Sequence, residues 1–247
     1  MKNKKIFMKI MIIAICCSCY IFANDDAISV PSNNKLVNAK SKVSIENKDN
    51  KKIDVVSDVG CIAESEPCVV IKNTSLKVIN AINNQKSLKA IIKIIDGDVS
   101  DKFDFNLMTT YSIGQNWKLA TKPEQEQIIN NFRKLLIYTY SAALSKFKGA
   151  KVKIINENIV SNKATVLTQT ILPDSSNIND DLIIKIEYYL IKNTPTSSWK
   201  IYDIKIENNS LITTYRTQFN EIIQKEKISG LLKKLQEKNT SMQNKIN

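Results

Sequence analysis

The amino-acid sequence predicts an α+β fold: N-terminal helices, a four-stranded antiparallel sheet, then two C-terminal helices. Three observations predict it. From 69 to 147, apolar residues recur at helical spacing. From 152 to 207 they alternate with polar residues between turn signals. After Ser210 helical spacing returns. Runs of helix and runs of strand, segregated along the chain, make α+β rather than alternating α/β architecture.

The first segment is an address. Lys2, Lys4, Lys5 and Lys9 precede an apolar run over 10–22, and Ala23 offers a small residue before Asn24, Asp25 and Asp26. This is the pattern of a secretory signal peptide over 1–23, too short for a spanning helix. Cys16, Cys17 and Cys19 leave a lipoprotein reading open, although the residues before each make a poor lipobox. Residues 24–60 are rich in Asn, Lys, Asp and Ser without an apolar period, and read as a polar, disordered tether. The folded domain is expected over 61–239 and a frayed tail over 240–247.

Within the domain each element has a local cause. Val70, Leu76, Ile79 and Ile82 mark a helix over 69–83, and a second helix over 88–95 stops at Asp96, Gly97 and Asp98. Phe105, Leu107, Met108 and Tyr111 mark a short helix over 103–113, closed by Gly114. Thr121 and Glu124 form a capping box for the long central helix, and Pro123 is tolerated in its first turn. The apolar face of that helix includes Ile128, Phe132, Leu135, Leu136, Tyr140 and Leu144. Strands follow over 152–160, 163–172, 182–191 and 199–207, joined by tight turns. Ile184, Ile186, Tyr188 and Leu190 share one face. Tyr202, Ile204 and Ile206 are expected to share a face in the last strand. One greasy sheet face then needs helices over it. Helices over 210–225 and 228–238 close the chain.

Composition narrows the chemistry. The chain carries no histidine, which removes histidine bases, histidine metal ligands and Ser-His-Asp or Cys-His catalysis. There is no Gly-rich phosphate loop. Loss of the four signal-peptide lysines leaves about +8 of the chain's +12 charge, suited to anionic surfaces or acidic partners. Export argues against nucleic acid as the partner. Cys61 and Cys68 are the cysteines left after cleavage, and a disulfide between them is favoured over two free thiols in an oxidising compartment. Their spacing suits no common zinc site. No metal and no cofactor is expected.

Several stretches together resemble a known family. They are Phe103-Asp104-Phe105, then Gly114, Trp117, Ala120, Gln125, Phe132, Leu136 and Tyr140, then Trp199-Lys200-Ile201-Tyr202-Asp203-Ile204. Ser210-Leu211, Tyr215-Arg216-Thr217-Gln218-Phe219, Gly230-Leu231-Leu232 and Leu235 follow in order. Over about 67–239 the chain resembles the MlaC-like, or toluene-tolerance, family. It departs from the family where Asn208-Asn209 replaces the usual Gly, a position Asn tolerates. The tether and the Cys61–Cys68 pair are not family hallmarks.

The resemblance implies a monomeric, non-enzymatic periplasmic carrier. It would shuttle phospholipid between an outer-membrane lipoprotein complex and an inner-membrane MCE-domain protein of an ABC transporter, maintaining outer-membrane lipid asymmetry. The helices and sheet would enclose an apolar lipid cavity. Candidate lining residues are Phe105, Met108, Leu136, Tyr140, Leu144, Val166, Ile186, Tyr188, Tyr202 and Ile204, each of which ordinary core packing also explains. Arg216 is a candidate to pair with Asp203 or to face a lipid phosphate. The competing readings are an envelope adaptor with a filled core, or a small α+β enzyme using Asp104, Glu187 or Asp203.

Overall fold

A computed structural model describes residues 56–58, 65–85, 87–145, 147–172, 182–193 and 197–246. The expected signal peptide, most of the expected tether and Cys61 lie outside the described residues. No described helix is long and apolar enough to cross a membrane.

Val56–Asp58 is a short strand, β1, although it falls within the stretch expected to be a tether. It pairs parallel to the first long strand, placing Val56 opposite Val152. Helix α1 spans Glu66–Asn84 and α2 spans Leu88–Ile94, with the Ser87 hydroxyl capping α2 at Ala90 N–H. The Asp96-Gly97-Asp98 signal does not release the chain. Winding continues through a wide turn, Ile95–Val99, and a tight one, Ser100–Lys102. Arg133 holds this bend by donating to Asp96 Oδ1 and, at 3.0 Å, to Ser100 Oγ.

Helix α3, Phe105–Ile113, starts on an Asp104 cap, whose carboxylate accepts from Leu107 N–H at 2.9 Å. Gly114 ends it at φ 62°, a conformation that suits glycine. Helix α4, Lys122–Leu144, opens with the predicted capping box: the Thr121 hydroxyl accepts from Glu124 N–H, and Glu124 accepts from Thr121 N–H at 2.8 Å. The long strands are β2 Lys151–Val160, β3 Lys163–Leu172, β4 Leu182–Asn193 and β5 Ser198–Ile206. A two-residue strand, β6 Asn209–Ser210, follows, and helix α5 covers Leu211–Ile246.

The sheet order is β1-β2-β3-β4-β5-β6, antiparallel except at β1. Its centre is the predicted four-stranded sheet; the two additions are too short to carry an apolar alternation. Glu207 and Asn208 form the β5–β6 turn with φ of 47° and 69°. Positive φ at both central residues is what a tight hairpin turn requires, and Glu207 and Asn208 supply it here without glycine.

Helix α5 is two helical segments joined by a kink at Lys227 (φ 63°, ψ −172°), in keeping with the two predicted helices. The residues expected to fray after 239 are helical to Ile246. The anchor is Asn239, buried, whose Nδ2 donates to the Asn131 carbonyl at 2.9 Å. That bond fixes the last turns of α5 to α4.

The core is divided. Helices α3, α4 and α5 bury one cluster around Phe132, Tyr215 and Phe219, whose rings meet within 5.4 Å. Helix α1 and the sheet bury another around Ile71, Ile154, Val166, Leu190 and Ile201. Helix α4 packs chiefly on α5, α3, α2 and the wide turn, with no strand among its principal neighbours.

Candidate functional site: the inner face of the sheet

Register decides which side chains face the helices. Across β3 and β4 the inward pairs are Ala164–Leu190, Val166–Tyr188, Thr168–Ile186 and Thr170–Ile184. Across β4 and β5 they are Ile186–Ile206, Tyr188–Ile204 and Leu190–Ile201. Thr168 is tolerated inside because its hydroxyl donates to the Ile186 carbonyl at 3.2 Å.

Two irregularities change the predicted faces. Between Tyr189 and Leu190 the β4–β5 register shifts, leaving Tyr202 unpaired. A bulge reverses the alternation beyond it. Tyr202 therefore does not share a face with Ile204, contrary to the period-two expectation. Its ring meets Tyr189 and Tyr111, at 6.4 and 6.1 Å. A second shift between Ile154 and Asn156 brings Glu157 opposite Val166 on the inner face. Glu157 is buried there, and Ser65 Oγ donates to its carboxylate at 2.5 and 2.6 Å.

The ten sequence-predicted lining residues fall into separate groups. Met108 and Leu136 are buried within the helical cluster, with Phe105 and Tyr140 half-buried against it. Val166 is buried in the sheet cluster, with Tyr188 and Ile204 against it. Ile186 is half-buried against Ala150, Leu172 and Ile184 at the far end of the sheet. Leu144, the last residue of α4, is half-buried. Tyr202 lies with the outer-face tyrosines.

Burial pushes the Tyr188 phenol up to about 12, against a hydrogen bond shared with Ser75 of α1. The residue is half-buried, packed against the sheet cluster.

The remaining polar groups hold elements in place. Glu66, at the start of α1, accepts from Trp199 Nε1 at 2.8 Å and Lys192 Nζ at 3.0 Å. The Lys192 and Trp199 bonds hold its carboxyl below the usual range. Asp203 accepts from Ser210 Oγ, Ile204 N–H and Ile212 N–H, so it starts α5. Arg216 makes no ion pair with Asp203; its Nε donates to the Tyr111 carbonyl at 2.7 Å, tying α5 to the end of α3. Glu187 accepts from the Tyr189 hydroxyl at 2.7 Å, and that bond pushes the Tyr189 phenol up to about 12. The three carboxylates considered for catalysis thus sit at Asp104, Glu187 and Asp203 in separate structural bonds. Cys68 is buried and disulfide-bonded; its partner lies outside the described residues. Among the described residues no group of His, Cys, Asp and Glu is arranged to hold a metal.

Sequence reasoning missed two residues. Phe103 packs against the helical cluster, the sheet cluster and the α2 cluster together. Its signal was its place in the Phe103-Asp104-Phe105 stretch. Glu157 had no signal, because a bulge is invisible to a period-two count.

Comparison with known proteins agrees with this architecture. The sequence profile of the family described as MlaC protein matches residues 72–237. The intermembrane phospholipid transport system binding protein MlaC of Haemophilus influenzae is 20% identical over 181 residues, covering 71% of this chain and 83% of that one. In fold, the chain is similar to a phospholipid-binding protein from Ralstonia solanacearum solved in complex with a phospholipid. The TM-score is 0.63 and the identity 24%, over 72% of this chain and 99% of that one. A profile match across two thirds of the chain, on the elements just described, places this protein in the MlaC protein family.

Proposed function

We propose that this protein is a non-enzymatic phospholipid carrier of the bacterial periplasm, exported by cleavage after residue 23. The observation that carries the reading is the match to the MlaC protein family across residues 72–237, together with an apolar inner sheet face on which Ile186, Tyr188 and Ile204 remain only half-buried. Helix α4 stacking on other helices rather than on strands supports it, since a filled sandwich would bring that helix down onto the sheet. Each buried methylene is worth about 0.8 kcal/mol, so two long acyl chains represent on the order of 20 kcal/mol of burial. A carrier must supply that from apolar walls rather than polar contacts. On this reading Ile186, Tyr188 and Ile204 are the wall residues on the sheet side, with Val166 packed behind them, and Phe105, Tyr140 and Leu144 are those on the helical side.

In this reading the carrier exchanges lipid with an outer-membrane lipoprotein complex and with an MCE-domain protein of an inner-membrane ABC transporter, preserving outer-membrane asymmetry. Cys61 is the disulfide partner of Cys68. Native mass spectrometry of the purified protein, followed by organic extraction, tests the central claim: one diacyl phospholipid per chain is expected. A folded, empty protein that also fails to take lipid from vesicles refutes it. Tyr188→Ala should lower lipid occupancy severalfold, while Tyr202→Ala on the opposite face should leave it unchanged.

A further inference from the structure

The outer face of the sheet differs from an ordinary solvated face. Register places Lys151, Lys153, Lys163, Lys185, Lys200 and Lys205 on it, against Glu187 and Asp203 on the strands and Glu207 at the edge, where its Oε1 accepts from Lys185 N–H at 2.8 Å. Both strand carboxylates are already engaged. Glu187 accepts from Tyr189 and lies 3.6 Å from Lys205, and Asp203 caps α5. Lys153, Lys163 and Lys185 make no ion pair among the described residues.

Between the lysines lies an apolar stripe. Ile171 pairs with Ile183 across β3 and β4, Leu167 and Ile191 stand on the same face, and Val160 ends it at the β2–β3 turn. Ile183 is 49% exposed and Val160 64%. No described side chain of this face is fully buried, whereas the inner face buries Val152, Ile154, Val166, Ile184 and Leu190. Helix α1 lies on the inner side, and α3 reaches the outer margin through Tyr111.

We infer that this face docks on an anionic lipid bilayer. Its positive charge disfavours a second copy of the same face. Lysines around exposed aliphatic side chains match the interfacial zone of a membrane: aliphatics enter among the upper acyl carbons while ammonium groups reach phosphates. The inference does not depend on the cargo in the inner cavity, because the two faces share no side chain.

Flotation of the full chain, as processed in the cell, with vesicles of phosphatidylcholine alone or with added phosphatidylglycerol tests it. Binding is expected to the anionic vesicles only and to fall with salt. Each lysine near an anionic surface contributes about a fivefold gain, so Lys153→Gln with Lys185→Gln should weaken binding about 25-fold. Ile183→Ser should weaken it further. The pair Lys118→Gln and Lys134→Gln, on helical surfaces, should leave it unchanged. Equal loss in the two pairs, equal binding to neutral vesicles, or no binding at all overturns the inference; the last result would turn attention to an acidic protein surface. Organic extraction of each variant separates the two readings. Weakened vesicle binding with cargo retained in the Lys153→Gln and Lys185→Gln pair supports docking; a parent protein that carries cargo but binds no vesicle refutes docking alone, and one that binds anionic vesicles but carries no cargo refutes carriage alone.

Discussion

Replacing Gly230 by alanine should destabilise this protein, against the ordinary expectation for a helix. In a helix interior Gly→Ala usually gains roughly 0.5–1 kcal/mol. Residues four apart on a regular helix also hold their Cβ atoms about 5–6 Å apart. Here the Lys227 kink brings the chain back on itself, and a Cβ on Gly230 would lie 2.2 Å from Glu226 Cβ. Glu226 Cβ is fixed to its backbone, so no rotamer change relieves the overlap. Overpacking of this kind costs roughly 1–3 kcal/mol, and the net loss should be about 1–2 kcal/mol. Urea unfolding followed by circular dichroism measures it. In a Glu226→Gly background the same substitution should cost at least 1 kcal/mol less, roughly, since the clashing atom is gone. Glu226→Gly also removes the Lys234 ion pair at 3.2 Å, but an exposed pair contributes little. A Gly230→Ala protein as stable as the parent, or more so, would refute the steric reasoning at this kink.

Thr121→Ala removes the hydroxyl half of the α4 capping box and should cost about 1 kcal/mol by the same unfolding assay, with Thr121→Ser close to the parent. Glu66 has a carboxyl pKa held below its unfolded value, so its contribution is present above the ordinary carboxylate range and is lost as pH falls through the depressed value. Acid titration of Trp199 fluorescence in a Trp117→Phe background should show that transition, and Glu66→Gln should abolish it; a transition that survives the substitution belongs to another group. Arg216→Gln should cost roughly 1 kcal/mol of stability through loss of the Tyr111 carbonyl bond, leaving lipid occupancy at the parent level. Loss of lipid without loss of stability would instead assign Arg216 to a head group.

Local chemistry was legible residue by residue. Thr121 and Glu124 announced the start of α4, Gly114 the end of α3, and the alternation from Ile184 to Leu190 the inner face of β4. These signals depend on neighbours within one helical turn or one strand step, and the sequence presents such neighbours directly. The resemblance carried by Trp199–Ile204 and Tyr215–Phe219 likewise needed only order and spacing.

The face assigned to Tyr202 was not legible, nor was the burial of Glu157. Both follow from bulges, in which one extra residue inverts all the alternation beyond it, and a bulge is set by pairing with a distant strand. Asn239 reads as the start of a frayed tail until Asn131, 108 residues earlier, is brought beside it. Arg216 has an acidic candidate partner in Asp203 by sequence, but packing of α5 against α3 offers it the Tyr111 carbonyl instead. The sequence by itself determined the principal helices and the four long strands, their order and the family resemblance. Only the tertiary structure decided which side chains share a face, because contacts between residues far apart in the chain set register, kinks and the separation of the two buried clusters.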